Sequence, residues 1–400
     1  MSSAALLPGV LVNPDKAPEV PPHHTLGVMG GGQLGRMFVH AAQQMGFATA
    51  VLDPDPHSPA GLVSHHHVQT AYTDEAGLAR LAQLCGAVTT EFENVPAQAL
   101  EWLARQRTVA PAAQAVSVAQ DRAREKAHFT ACGVPCAPHA VVESQAQLQA
   151  VADDLLPGIL KTARLGYDGK GQVRVNTRGE LAQAWQQLKG VPCVLEKLLP
   201  LHAECSVIVA RGQDGLCVHF PPQLNLHRDG ILAVTQVYPG NLPEPLASQA
   251  VSAAQAVAEG LRYVGVLCVE FFVLRQADGA LSLVVNEMAP RPHNSGHYTL
   301  DACDVSQFDL QVRALAGLPL VQPRLHSAAI MLNLLGDLWQ AGTPPWDRLL
   351  ALPGVHLHLY GKTGASPGRK MGHVNITGAS MDQVRAVAQQ AAALLGMAPF

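Results

Sequence analysis

At 400 residues the chain exceeds the usual capacity of a single hydrophobic core, so about two or three domains are expected. Its 48% hydrophobic and 14% charged residues, with 35 glycines and 29 prolines, describe a compact, turn-rich chain rather than a disordered one, and the net charge of -4 argues against a nucleic-acid binder. The N-terminus lacks the charged and apolar regions of a signal peptide, no run approaches the roughly 18 apolar residues of a membrane span, and the eight cysteines contain no CxxC pair; together these predict a cytoplasmic chain with reduced thiols.

Residues 1–24, with prolines and polar turn formers, read as a loose extension. An apolar strand at 26–29, a glycine turn at 30–35, a helical stripe of Leu34, Met37, Phe38, Ala41, Ala42 and Met45, and a strand at 48–52 then form a βαβ unit. Helices near 77–84 and 97–105 alternate with strands at 87–92 and 108–110. The pattern predicts a Rossmann-like, doubly wound parallel sheet domain over 25–133, whose last helix at 121–132 stops at Gly133. Gly30, Gly32 and Gly35, with Asp53 ending the next strand, have the form of a dinucleotide fingerprint, which keeps a dehydrogenase as a competing reading. A glycine turn at a helix N-terminus accepts any phosphate, however, and no nicotinamide-specific catalytic set follows.

Beyond Pro135 the pattern becomes α+β, over 134–320. It begins with a strand around Ala140, a helix at 144–153, a hairpin of 158–161 with 171–175, a helix at 181–188 and a strand at 193–197. A strand at 204–211 and an Ala-rich helix at 245–261 precede two apolar strands, 265–274 and 281–288. These are joined by Gln276-Ala-Asp-Gly279, a spacer that predicts an antiparallel pair. After a helix at 306–316, a small β-containing domain over 321–400 is expected, with strands at 328–335 and 355–360, a basic, turn-rich stretch at 362–370 and a closing helix at 381–395.

Lys161 stands at the end of a predicted strand, before a loop containing Gly166, Gly169 and Gly171. Such a loop offers backbone N–H groups to a polyphosphate, and Lys161 adds a point charge; a basic surface hairpin is the plainer alternative. Glu270 and Glu287 interrupt apolar strands, where carboxylates need partners. Antiparallel pairing would bring them together, and Mg2+ would hold both against their repulsion, while salt bridges to Arg275 or Arg291 would also serve. Glu196 can accept from an adenine amino or ribose hydroxyl group, Glu204 from ribose, and His227 can donate to a phosphate; all three can equally be solvated loop groups. Arg291, Arg369 and Lys370 can neutralise a phosphomonoester, with His293 and Asn294 as hydrogen-bonding partners.

Six segments, Gly30-Gly-Gly-Gln-Leu-Gly-Arg-Met37, Thr90-Glu-Phe-Glu-Asn94, Gly166-Tyr-Asp-Gly-Lys-Gly-Gln172, Asn225-Leu-His-Arg-Asp-Gly-Ile231, the run from Asn286 to His297, and Pro367-Gly-Arg-Lys-Met-Gly-His373, resemble in order the N5-carboxyaminoimidazole ribonucleotide synthase family. The resemblance runs from about residue 25 to the end. It implies an ATP-grasp fold between a Rossmann-like domain and a small C-terminal domain, usually assembled as a homodimer. The implied activity is ATP-dependent carboxylation of 5-aminoimidazole ribonucleotide with bicarbonate. By motif, the nucleotide would meet Arg122, Lys161, the loop Gly166, Tyr167, Asp168, Gly169, Lys170, Gly171 and Gln172, the run Glu196, Lys197, Leu198 and Leu199, then Glu204, His227, Asn286 and Glu287. Glu270 and Glu287 would hold magnesium. The ribonucleotide would lie near Gln33, Leu34, Glu91, Tyr167, Asp168, Arg291, His293, Asn294, Lys362, Arg369 and Lys370. Lys161, Asp168, Glu270, Glu287 and Arg291 would carry the chemistry. The chain departs from the family pattern in its first 24 residues and in Ala163 and Leu165, which make the entry to the loop less basic. A different ATP-grasp ligase would need other substrate residues than Arg291 to His297 and Arg369 to His373, and a sensing module without turnover would not need both glutamates.

Overall fold

The structure, a computed structural model, describes Leu6, residues 24–164, Gly166 and residues 171–400. The expectations placed on Leu165, Tyr167, Asp168, Gly169 and Lys170, and on the extension apart from Leu6 and His24, lie outside the described residues. At Leu6 the extension lies against the body: its N–H donates to Ala316 O at 2.7 Å.

The N-terminal sheet is parallel, in the order His66–Val68, Ala48–Leu52, Thr25–Met29, Ala87–Thr90, Thr108–Val109. Every residue of Thr25–Met29 and Ala48–Leu52 is buried, because helices cover both faces and continuous apolar runs are what such strands require. Phe38 from helix Gln33–Gln44 and Phe308 and Leu315 from helix Gln307–Ala316 pack on one face. Leu81 and Leu100, from helices Glu75–Leu84 and Ala97–Ala104, pack on the other. The doubly wound expectation therefore holds, with the short strand His66–Val68 and the helix Ala113–Ala119 as additions.

Two further sheets enclose a cleft. The smaller is four-stranded and antiparallel, in the order His139–Val142, Cys193–Lys197, Gly158–Thr162, Gln172–Val175, so the predicted hairpin at 158–175 is present. The larger is nine-stranded. It runs Leu281–Ala289, Gly265–Arg275, Leu201–Arg211, Gln223–Arg228, Ile231–Val237, Ala328–Leu335, Lys370–Gly378, Val355–Leu359, with Cys217–His219 paired to Leu201–Arg211. Hydrogen bonding continues from Ile231–Val237 into Ala328–Leu335, pairing Val234 with Leu332 and Val237 with Ala329, so one sheet spans both sides of residue 320.

Strand Lys370–Gly378 corrects the expectation of a turn-rich stretch up to Lys370 followed by no strand. It lies between two neighbours, and Val374, Ile376, His373 and Asn375 are all fully buried, so the apolar–polar alternation that marks a half-exposed strand is missing. Among the described residues, no helix is long and apolar enough to cross a membrane.

Candidate active site

Strands Gly265–Arg275 and Leu281–Ala289 place the two glutamates. Val269, Phe271 and Val273 point into the core beneath helix Glu244–Gly260, and alternation turns Glu270 to the cleft face. Glu270 stands directly opposite Glu287 in the antiparallel register, and the irregularity follows immediately after it. The partners anticipated from sequence differ from those present. Arg275 faces His202 and Arg291 faces Glu93. Glu287 Oε2 instead accepts from Arg122 Nη1 at 3.0 Å, and Glu270 Oε1 lies 2.9 Å from His293 Nε2. Burial alone would raise the Glu270 carboxyl, yet His293, with His227 and Arg291 nearby, holds it at about 2. The adjoining Asn286 Oδ1 is buried with no partner among the described residues. Two carboxylates and an orphaned amide oxygen form a hard-oxygen set that fits magnesium. The nearby Cys268 thiol is unsuited to that ion, since burial pushes its pKa well up.

Helix Arg122–Ala131 starts at the N-cap Asp121, whose side chain accepts from Ala123 and Arg124 N–H. It delivers Arg122, Glu125 and Lys126 at i, i+3 and i+4 on one face. Glu125 Oε1 accepts from Met288 N–H at 2.7 Å, and burial together with Glu287 pushes its carboxyl up to about 8. Lys126 Nζ lies 3.2 Å from Glu196 Oε1, while Lys161 Nζ donates to Glu196 Oε2 at 3.1 Å. Glu196, expected to accept from adenine or ribose or to be a solvated loop charge, instead has both of its oxygens committed to lysines. Lys126, Glu125 and Glu93 are functional-site residues that were not among those expected from sequence. The placement of Glu125 and Lys126 three and four residues after Arg122 was the available signal, and neighbouring charges at Asp121 and Arg124 obscured it.

Glu204 and His227 are brought together by the pairing of Leu201–Arg211 with Gln223–Arg228, and their side chains are in direct contact. Gly166, Gln172, Lys197, Leu198 and Leu199 line the same cleft, of about 600 Å³, as do Arg291, His293, Asn294 and Lys370. Gly171, at φ +73, makes the turn into Gln172–Val175, where a Cβ would lie 2.7 Å from Thr162 Oγ1. Arg291 Nε donates to Glu93 Oε2 at 2.5 Å. Asn294 is nearly buried, and both its side-chain polar atoms lack partners among the described residues.

The remaining predicted substrate residues form an adjoining group rather than lining the cleft. Lys362 Nζ donates to Gln33 Oε1 at 2.5 Å and to Lys370 O at 2.7 Å, Leu34 is buried beneath them in the N-terminal core, and Arg369 donates to Thr363 O and Gly364 O. The glycine turn departs most from its phosphate-binding reading. Glu91 occupies it, accepting from Gly32 N–H at 2.5 Å and Gly35 N–H at 2.8 Å, and burial raises its carboxyl pKa against those two bonds. Asp53 is likewise engaged, by Gly31 N–H and Tyr72 O–H.

Comparison with known proteins extends this geometry. Residues 23–120 match a ribonucleotide synthetase preATP-grasp domain, 127–308 an ATP-grasp domain and 329–387 a phosphoribosylaminoimidazole carboxylase C-terminal domain. N5-carboxyaminoimidazole ribonucleotide synthase of Brucella melitensis is 42% identical over 356 residues, spanning 88% of this chain and 96% of that protein. The Bacillus subtilis protein of the same name is 38% identical over 354 residues, spanning 88% and 91%. The crystal structure of the Aspergillus clavatus synthase in complex with ADP and 5-aminoimidazole ribonucleotide superposes with a TM-score of 0.84 at 32% identity, covering 93% of this chain and 98% of that one.

Proposed function

The chain belongs to the N5-carboxyaminoimidazole ribonucleotide synthase family of ATP-grasp ligases, and on that footing we propose that it carboxylates the exocyclic amine of 5-aminoimidazole ribonucleotide with bicarbonate, converting ATP to ADP and phosphate in purine biosynthesis. The observation that carries this reading is the convergence, in one cleft, of the Lys126–Glu196–Lys161 cluster, the facing Glu270 and Glu287, and Arg291 with His293.

Two ammonium groups on one carboxylate leave positive charge for a polyphosphate, which Lys161, Arg122, His227 and the loop from Gly166 to Gln172 would hold by its oxygens. Leu198 and Leu199 supply an apolar wall for the base, with Glu204 toward the ribose. Glu270 and Glu287, assisted by Asn286, would hold Mg2+, which when bound neutralises charge on the transferring phosphoryl group. Arg291 and His293, expected from the resemblance to lie near the ribonucleotide, both act on Glu270 and are therefore assigned here to bicarbonate, orienting it so that one oxygen attacks the γ-phosphorus, expelling ADP and giving carboxyphosphate. That mixed anhydride turns a poor electrophile into one with phosphate as leaving group. The ribonucleotide amine then forms the new C–N bond while Gln33, Glu91, Asn294, Lys362, Arg369 and Lys370 keep the ribonucleotide in place. Because the amine is a weak nucleophile, a close and water-poor arrangement contributes more than a strong base. The free state of all eight cysteines supports a cytoplasmic setting.

An ADP-release assay with ATP, magnesium, bicarbonate and the ribonucleotide, each omitted in turn, tests the reading. Full turnover is expected only with all four, and Glu287→Gln is expected to remain folded while losing at least ~100-fold in kcat. ADP release indifferent to both bicarbonate and the ribonucleotide, or near-normal turnover by the variant, would refute it.

A further inference from the structure

Arg291 sits on the loop after strand Leu281–Ala289, and its strongest partner comes from the opposite side of the cleft. Glu93 lies on the loop after strand Ala87–Thr90, and the two residues are 198 positions apart. The Glu93 backbone is itself tied down: Gln120 Nε2 donates to Glu93 O at 2.6 Å and to Val95 O at 2.8 Å. The carboxylate is therefore a fixed post rather than a mobile surface acid. It takes the Nε edge of Arg291 at 2.5 Å, and Nη1 donates to Pro292 O at 3.2 Å.

A guanidinium carries five N–H donors in a rigid plane. Among the described residues Glu93 and Pro292 account for two of these, so the Nη end keeps donors for the cleft that Arg291 lines. Gripping the plane by its Nε edge fixes its rotation and aims the Nη end, the geometry with which arginine meets a planar oxyanion through paired hydrogen bonds. The same arrangement repeats across the pocket, where Glu270 holds His293 by Nε2 while Ser295 Oγ lies 2.9 Å from Nδ1. Each of the two side chains assigned to bicarbonate is thus steadied by a carboxylate.

We propose that Glu93 is a positioning residue for carboxylation, holding Arg291 by its Nε edge so that the Nη groups meet the oxygens of bicarbonate. The proposal rests on the function given above. It also makes the N-terminal domain a structural contributor to the carboxylation step, since the aim of Arg291 depends on a loop of that domain.

Steady-state kinetics with each substrate varied in turn, on wild type, Glu93→Gln and Glu93→Ala, test it. Gln keeps a side-chain acceptor for Nε and loses the charge, whereas Ala loses both. The kcat/KM for bicarbonate is expected to fall in the order wild type, Gln, Ala, reaching roughly 100-fold in the Ala variant, with the KM for ATP unmoved. Formate added to Glu93→Ala is expected to restore part of the loss by seating a carboxylate against Nε, an effect that a purely structural role would not give. Thermal unfolding identifies any variant that fails to fold, and Glu93→Gln, which preserves volume, then decides the matter. Unchanged bicarbonate kinetics in a folded variant, or a rise in the KM for ATP parallel to that for bicarbonate, overturns the role of Glu93 alone. Wild-type turnover indifferent to bicarbonate overturns the role and the parent function together.

Discussion

Lys126, Lys161 and Glu196 put two ammonium groups against one carboxylate, with side-chain exposures of 1%, 10% and 5%. Removing the shared partner leaves two like charges in a poorly solvated site, and breaking a buried pair from one side costs about 3 kcal/mol or more. Glu196→Gln is therefore expected to lower the melting temperature without nucleotide. Because ATP phosphates supply the missing negative charge, the stabilisation by ATP is expected to be larger in the variant than in wild type. Melting curves with and without ATP check this, and an equal ATP shift in both proteins would contradict the cluster's role. Lys161 and Glu196 were legible as candidates because they frame a glycine loop and a leucine-rich turn. Lys126 was not, since a lysine in a charged helix reads as a solvated side chain until the helix face is known.

At the scale of elements, the central strand Lys370–Gly378 joins the substrate region to a ring stack. His373 lies 4.5 Å from His358 and 4.6 Å from His297 between ring centroids, and its Nδ1 is 2.9 Å from Tyr360 Oη. Asp301 from helix Thr299–Ala302 meets His358 at 2.8 Å and His356 at 3.6 Å, and Asn375 Nδ2 donates to it at 2.6 Å. Burial, and then the neighbouring histidines, push His297 and His373 well below the usual imidazole value. Burial would raise Asp301, but His358 and Asn375 hold it down. The signs agree. Histidines depressed in the folded state contribute stability above about pH 6.5 that is lost as pH falls through their folded values, and a depressed carboxylate also loses its contribution on acidification, at lower pH. Melting temperature is thus expected to fall from pH 7.5 toward 5.5. His373→Phe is expected to be less stable at pH 7.5 by about 1–3 kcal/mol, through the unpartnered Tyr360 hydroxyl, yet to show a shallower decline. Parallel wild-type and variant pH curves would refute this. Most elements were readable from apolar periodicity, including the Glu270–Glu287 hairpin. This strand was not, because its polar residues face inward.

Across the whole molecule, the nine-stranded sheet passes through residue 320, where composition and pattern suggest a boundary. Residues 321–400 supply Ala328–Leu335 to cover the edge of Ile231–Val237, and cutting there would expose Val234 and Val237 together with unpaired backbone groups. Velocity sedimentation of the full chain and of residues 1–320 is expected to give a compact homodimer, consistent with the family resemblance, and an aggregated or expanded truncation. A monomeric full chain would refute the dimer, and a soluble, compact truncation would refute the dependence on the shared sheet. Domain order was legible because each segment carries its own motifs. The continuity of the sheet was not, because strand partners in an antiparallel array are set by packing between distant segments.

Glu91, seated on the amides of Gly32 and Gly35, bears on selectivity for the enzyme as a whole. The turn that would admit a dinucleotide is plugged by the chain's own side chain, so nicotinamide cofactors and stray phosphates find that door already shut. The N-terminal domain then offers no second seat for a dinucleotide and keeps Gln33 and Glu91 for the ribonucleotide, beside a cleft that Glu93 and Asn94 of the same domain help to line.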